Sequence, residues 1–262
     1  MVVPEWLTNR PIAHRGLFDN RTVPENSAAA FELAISRGHP IEFDVRQSRD
    51  RQLAVFHDIF LSRMTGRRWP IAACTWSEIK DLKLVGTEQS IPRLETALEL
   101  INGRVPVLIE IKNESFSNRM EANVAEVLDS YSGPFAVQSF NPLSVRWFKK
   151  HRPEYCCGQL AGGLNSGMVI GRMVNSLLKN IYLNFVPSPH FIAYYALAGN
   201  ISFFESIKRL TDAPLILWTV DSDEKLALCR ALNVNYIFES HFLKAQQPSG
   251  SVASEPRHTK PI

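Results

Sequence analysis

The chain has 262 residues, 45% of them hydrophobic, and a formal net charge of +3 from 29 basic and 26 acidic side chains spread along its length. That composition suits one barrel-sized globular domain, and the even charge gives no basic stripe of the kind that marks nucleic-acid binders. Residues 1–10 lack a basic start followed by an apolar stretch, and no window approaches the roughly 18–20 apolar residues of a membrane span, so the expectation is a soluble, cytoplasmic protein without a membrane span.

Pro11-Ile12-Ala13-His14-Arg15-Gly16 is an apolar, strand-like run that ends in charge. The loop Pro24-Glu25-Asn26-Ser27 then leads into a predicted helix over 28–35, with Gly38 just past its end. The second strand, over 39–46, carries Glu42 and Asp44. Only residues 47–52 separate it from the next extended run, which ends at His57-Asp58. A parallel crossover needs about a dozen residues, so these two strands must form a hairpin, with the second appended to the main sheet. Residues 59–91 are mixed in composition and read as a small insertion beside the strand ends; Arg67-Arg68, in its turn-rich centre, reads as a solvated turn.

Regular alternation then resumes. Helices are predicted over 94–101, 119–130, 142–150, 168–179, within 190–209, and over 222–232; strands over 105–112, 135–140, 156–161, 181–186, 214–220 and 235–239. With the hairpin strand set aside, the strands alternate with helices as a closed parallel barrel requires. The predicted fold is therefore α/β, a (β/α)8 TIM barrel over 1–241 with a short insertion after the second-strand hairpin. An open doubly wound sheet would want a Gly-rich phosphate loop after its first strand, and His14-Arg15-Gly16-Leu17-Phe18 is not one. Residues 242–262 lose apolar periodicity and read as a disordered tail. Cys74, Cys156, Cys157 and Cys229 lack metal-site or disulfide spacing and read as reduced packing residues.

The charged residues fall at the carboxyl ends of the strands, where barrel enzymes carry their sites. Glu42 and Asp44 are two apart and share a face, as do Glu110 and Lys112. Three carboxylates converging on one point repel one another, and a hard divalent cation with oxygen ligands, Mg²⁺ or Ca²⁺, compensates them. One such cation, His14 and His57, and the cations Arg15 and Lys112 suit displacement at an anionic phosphorus, with one histidine as base and the other as acid. Each of these residues also has a structural reading, His14 as a hydrogen-bonding strand end and Glu110 with Lys112 as an ion pair across one strand face.

His14-Arg15-Gly16, Pro24-Glu25-Asn26-Ser27, Glu42-x-Asp44-Val45, Asp50, His57-Asp58, Ile109-Glu110-Ile111-Lys112 and Gln138-Ser139-Phe140 together resemble the glycerophosphodiester phosphodiesterase family. The resemblance implies His14 and His57 as the acid/base pair, Glu42, Asp44 and Glu110 as metal ligands, and Arg15 and Lys112 as phosphate contacts. It further implies the barrel fold, a glycerophosphodiester substrate, and glycerol 3-phosphate plus an alcohol as products. Gln138 and Phe140 are candidates for the pocket mouth, although Phe140 equally suits the core. Trp218 either stacks on the glycerol side or fills the barrel, and Asp58 either orients His57 or caps the turn. Three departures stand out: Asp50-Arg51 in place of Asp-Gly, a short Arg-rich insertion, and Phe238-Glu239-Ser240 in place of an ending with Thr-Asp. No role is assigned to that last strand. The alternatives are a phospholipase D-like or cyclising phospholipase, which would want an apolar membrane face not visible in the sequence, and a non-catalytic barrel that binds phosphate esters. Nothing in the sequence bears on oligomeric state.

Overall fold

A computed structural model describes residues 2–114, 117–162 and 189–242. Among the described residues nine strands form one sheet: β1 (Ile12–Ala13), β2 (Ile41–Gln47), β3 (Leu53–Val55), β4 (Val107–Ile111), β5 (Phe135–Ser139), β6 (Cys157–Ala161), β7 (Phe191–Tyr195), β8 (Leu215–Val220) and β9 (Asn235–Phe238). Their order is β1-β9-β8-β7-β6-β5-β4-β2-β3, and a further β1–β2 pairing closes the ring. Only β2–β3 is antiparallel, with Val45 opposite Val55. The rest make a closed parallel barrel, and β3 is the hairpin appendage that the short 47–52 connection demands.

The helices are α1 (Glu5–Asn9), α2 (Ala28–Ser36), α3 (Ser62–Thr65), α4 (Trp76–Ile79), α5 (Leu94–Ile101), α6 (Arg119–Leu128), α7 (Pro142–His151), α8 (Ile201–Leu210) and α9 (Asp223–Leu232). Local chemistry sets several of their ends. Ser27 Oγ accepts from Ala30 N at 3.2 Å and caps α2. Asn141 does the same for Leu143 N at 3.0 Å, with Pro142 pre-set in the first turn of α7. On α5, Leu94, Ala97, Leu98 and Ile101 are buried, the three-and-four spacing of one apolar face.

Strand alternation divides the core into two layers. Ile41, Phe43, Val45, Val107, Ile109 and Val137 point outward and pack under the helices. Ile12, Leu108, Ala136, Phe191, Ala193, Ile216 and Ile237 point inward and fill the barrel, where Trp6 and Leu7 of α1 join them. Asn235 ties α1 in place by donating to the carbonyls of Leu7 and Arg10. Each large apolar side chain so buried is worth about 1.5–3 kcal/mol. Gly158 makes room for this filling, since a Cβ there would stand 2.1 Å from the Phe191 ring. The insertion has a small core of its own, with Phe56, Leu61, Met64, Ile71 and Ile79 buried together.

Three expectations need correction. The first strand is short, and His14 lies just past it, at the start of a turn that Arg15 (φ 53°) and Gly16 (φ 79°) make in the left-handed region. The sixth barrel strand is Phe191–Tyr195, inside the stretch expected to be helical; its alternation, Phe191 and Ala193 inward against Ile192 and Tyr194 outward, is too short to separate from a helix by periodicity. Phe242, taken as the first residue of the tail, is buried against the core. The expected helix over 168–179, strand over 181–186 and tail beyond 242 lie outside the described residues.

Candidate active site

Parallel register sets Asp44 opposite Glu110 and Glu110 opposite Gln138, one inward-facing row at the carboxyl end of the barrel. Glu42 lies one layer below Asp44 on the same face. Glu42, Asp44 and Glu110 are all buried, and each offers a carboxylate oxygen within 4.8 Å of the other two. Burial raises the pKa of Glu42 well above the usual carboxylate range, with the charges of Asp44 and Glu110 adding to it. Burial likewise pushes Glu110 up to about 7, against the pull of Lys112. At Asp44 burial also acts upward, but Lys112, His57, Arg15 and His14 outweigh it and hold the carboxyl well below its ordinary value. With all three carboxylates ionised the cluster would carry more negative charge than Lys112 and Arg15 neutralise, and the upward shifts of Glu42 and Glu110 express that repulsion together with burial. An all-oxygen, buried, charge-excess donor set fits a hard divalent cation.

Two cations flank the row. Lys112 follows β4, is fixed by a bond from its N–H to Val45 O at 3.0 Å, and places Nζ 2.7 Å from Glu110 Oε1 and 3.1 Å from Asp44 Oδ1. Arg15 stands 3.4 Å from Asp44 Oδ2 and is clamped by Glu25, whose Oε1 accepts from Nη1 at 2.7 Å. The Arg15 backbone N–H donates to Glu42 Oε2 at 3.1 Å. This turn depends on Gly16, because a Cβ there would meet Ala30 at 2.9 Å.

Both histidines turn Nδ1 to a carboxylate. His14 Nδ1 lies 2.7 Å from Glu239 Oε1, and its Nε2 faces Glu42 Oε2 at 3.9 Å. His57 Nδ1 lies 2.6 Å from Asp58 Oδ1. Burial would raise both carboxyls, but the bonded histidines pull them down, so Glu239 and Asp58 are ionised acceptors and each Nδ1 carries the proton. Burial in turn lowers the pKa of His57, only partly opposed by Asp44 and Asp58. His57 is positioned from the hairpin: Phe56 N–H donates to Asp44 O at 2.9 Å, and Arg46 Nε to His57 O at 2.6 Å.

The structure thus brings together His14, Arg15, Glu42, Asp44, His57, Glu110 and Lys112, with Gln138 buried beside them. Phe140 and Trp218 meet edge to face at 5.5 Å, and Trp218 meets Tyr195 at 5.4 Å, forming an aromatic wall around the other side of the mouth. Four supporting residues had no assigned role in the sequence. Asn26 donates to Asp44 Oδ2 at 2.9 Å, Glu25 clamps Arg15, and Arg63 ties Asp58 to Glu25 at 2.6 Å each. Glu239 is the fourth. Its signal was available: it lies two residues past inward-facing Ile237, so it points into the barrel.

A parallel (β/α)8 barrel with buried carboxylates, two carboxylate-held histidines and two cations at its carboxyl end defines a phosphoric diester hydrolase. The chain belongs to the Glycerophosphoryl diester phosphodiesterase family, whose sequence model matches residues 14–242. A glycerophosphodiester phosphodiesterase of Caldanaerobacter subterraneus subsp. tengcongensis is 31% identical over 230 residues, covering 82% of this chain and 87% of that protein. Among solved structures, an Oleispira antarctica phosphodiesterase in complex with the product sn-glycerol-3-phosphate is 23% identical with a TM-score of 0.74, covering 91% of this chain and 96% of the other. A glycerophosphodiester phosphodiesterase from Agrobacterium tumefaciens is 25% identical with a TM-score of 0.65, covering 88% and 96%. Among the described residues no helix is long and apolar enough to cross a membrane.

Proposed function

We propose that the protein hydrolyses glycerophosphodiesters to glycerol 3-phosphate and an alcohol, with His14 and His57 as the acid/base pair. The observation that carries this reading is geometric: each histidine has Nδ1 held by an acidic partner, His14 turns Nε2 toward Glu42, and the bond from Phe56 N–H to Asp44 O brings the His57 hairpin to the same row of buried carboxylates. Nε2 of each ring is then the atom that exchanges a proton with the attacking water or the leaving alkoxide. Arg15 and Lys112 neutralise the phosphoryl oxygens, and their own carboxylate partners fix where that charge stands.

Glu42, Asp44 and Glu110 would hold one divalent cation, Mg²⁺ or Ca²⁺, which when bound acts as a Lewis acid on a phosphoryl oxygen. The aromatic pair Phe140 and Trp218, with Gln138, lines the side that receives the glycerol moiety. On this reading the protein acts in the cytoplasm on small phosphodiesters. The test is phosphorus NMR of glycerophosphocholine with purified protein. Wild type should release glycerol 3-phosphate, EDTA should abolish the reaction, Mg²⁺ or Ca²⁺ should restore it, and His14→Ala and His57→Ala should each remain folded and lose at least about a hundredfold in rate. Full turnover by either variant, or in excess chelator, would refute the assignment; tight substrate binding without turnover by wild type would favour a non-catalytic barrel.

A further inference from the structure

Large hydrophobic side chains are not scattered over this surface. Among the described residues, every exposed one apart from Val2 lies on the excursion between β2 and α5, between β5 and the first turn of α7, or between β7 and the first turn of α8. Each of these segments leaves the carboxyl end of a barrel strand, the face that bears the catalytic mouth. The densest group is on the insertion, where Ile59, Phe60 and Trp69 are 50%, 52% and 47% exposed. They are held rigidly: Leu61 N–H donates to Trp69 O and Ile71 N–H to Ile59 O, both at 2.9 Å, above the buried side chains of Leu61, Met64 and Ile71. Phe140 and Leu197 continue the apolar rim beyond β5 and β7.

The stretch 59–70 that carries this apolar group contains three arginines and no acidic residue. Arg63 is engaged by Asp58 and Glu25, whereas Arg67 and Arg68 are exposed and have no carboxylate partner among the described residues. Arg67 also stacks on the Trp69 ring, 5.1 Å from its centroid. Exposed aromatic rings interleaved with free arginines are what the headgroup layer of a bilayer accommodates, the rings at the acyl boundary and the guanidinium groups on lipid phosphates.

We propose that this face docks on an anionic phospholipid surface, with Phe60 and Trp69 entering the interface and Arg67 and Arg68 on its phosphates, so that the catalytic mouth opens toward lipid. The proposal concerns binding and stands apart from the hydrolytic reading. The test is co-sedimentation of the full chain with vesicles of phosphatidylcholine alone or mixed with phosphatidylglycerol, at low and high salt. Mixed vesicles should bind it, more weakly at high salt. Phe60→Ser with Trp69→Ser should reduce binding at least about tenfold. Arg67→Glu with Arg68→Glu should reduce it by a similar factor and remove the preference for phosphatidylglycerol. All four positions are exposed, and unchanged thermal unfolding would confirm that the variants are folded. Failure of wild type to bind mixed vesicles, equal binding to phosphatidylcholine alone, or undiminished binding by either double variant would overturn the proposal. So would light scattering showing that the aromatic double variant merely converts a dimer to a monomer.

Discussion

Glu239→Gln replaces the carboxylate that holds His14 with an amide of the same shape. The Glu239 side chain is 20% exposed and lies 2.7 Å from Nδ1, so the contact is a charge-assisted hydrogen bond only partly screened by water. Such bonds are worth about 1.5–3 kcal/mol against about 0.5–1.5 kcal/mol for neutral ones. The loss of about 1.4 kcal/mol when the imidazolium forms corresponds to roughly tenfold in rate. Steady-state release of glycerol 3-phosphate from glycerophosphocholine should show kcat lowered roughly tenfold with KM within about twofold, because Glu239 touches the ring and not the substrate. Glu239→Asp, one methylene shorter, should not restore the rate. A kcat equal to wild type, or a rise in KM with kcat unchanged, would refute the view that Glu239 positions His14 for proton transfer.

Glu25 links acid stability to the site: burial would raise its pKa, but the hydrogen bond from Arg63 and the charges of Arg15 and Arg63 bring it from 4.5 down to about 2. A depressed folded pKa contributes stability that is fully present above the unfolded value and lost as pH falls through the folded one; the 4.5 to 2 window corresponds to about 3 kcal/mol. Urea unfolding of Glu25→Gln against wild type should therefore show a stability gap that narrows between pH 4.5 and 2, and a gap constant over that window would sink the reasoning. Gly158→Ala should destabilise the barrel by about 3 kcal/mol, since its Cβ would overlap the Phe191 ring; an unchanged urea midpoint would show that the interior yields more easily than its packing indicates.

Much of the site was legible because strand alternation is a local rule. Glu42 with Asp44, and Glu110 with Lys112, declare a shared face by spacing alone, and the brevity of 47–52 forces the hairpin that carries His57. What stayed hidden depends on contacts between distant segments. A closed barrel already implies that β9 lies beside β1, but the register that sets Ile12 opposite Ile237, and the left-handed turn that leaves His14 facing Glu239, are seen only in the folded chain. The sixth barrel strand is a five-residue run, Phe191–Tyr195, whose apolar content suits a buried helix equally well. Within the mixed composition of 59–91 nothing separates Ile59, Phe60 and Trp69 from Leu61, Met64 and Ile71, and only the folded insertion shows the second set buried and the first exposed.

His14 and Glu239 are 225 residues apart in the chain, yet they meet across the β1–β9 seam. A partly synthesised chain can complete the β2–β4 row of carboxylates and still lack the group that aims its first histidine. Maturation of the site thus waits for ring closure, the step of longest sequence separation and hence the slowest kind of contact to form. Catalytic competence becomes a readout of finished folding, and any lesion that springs the seam should silence the enzyme before the barrel melts.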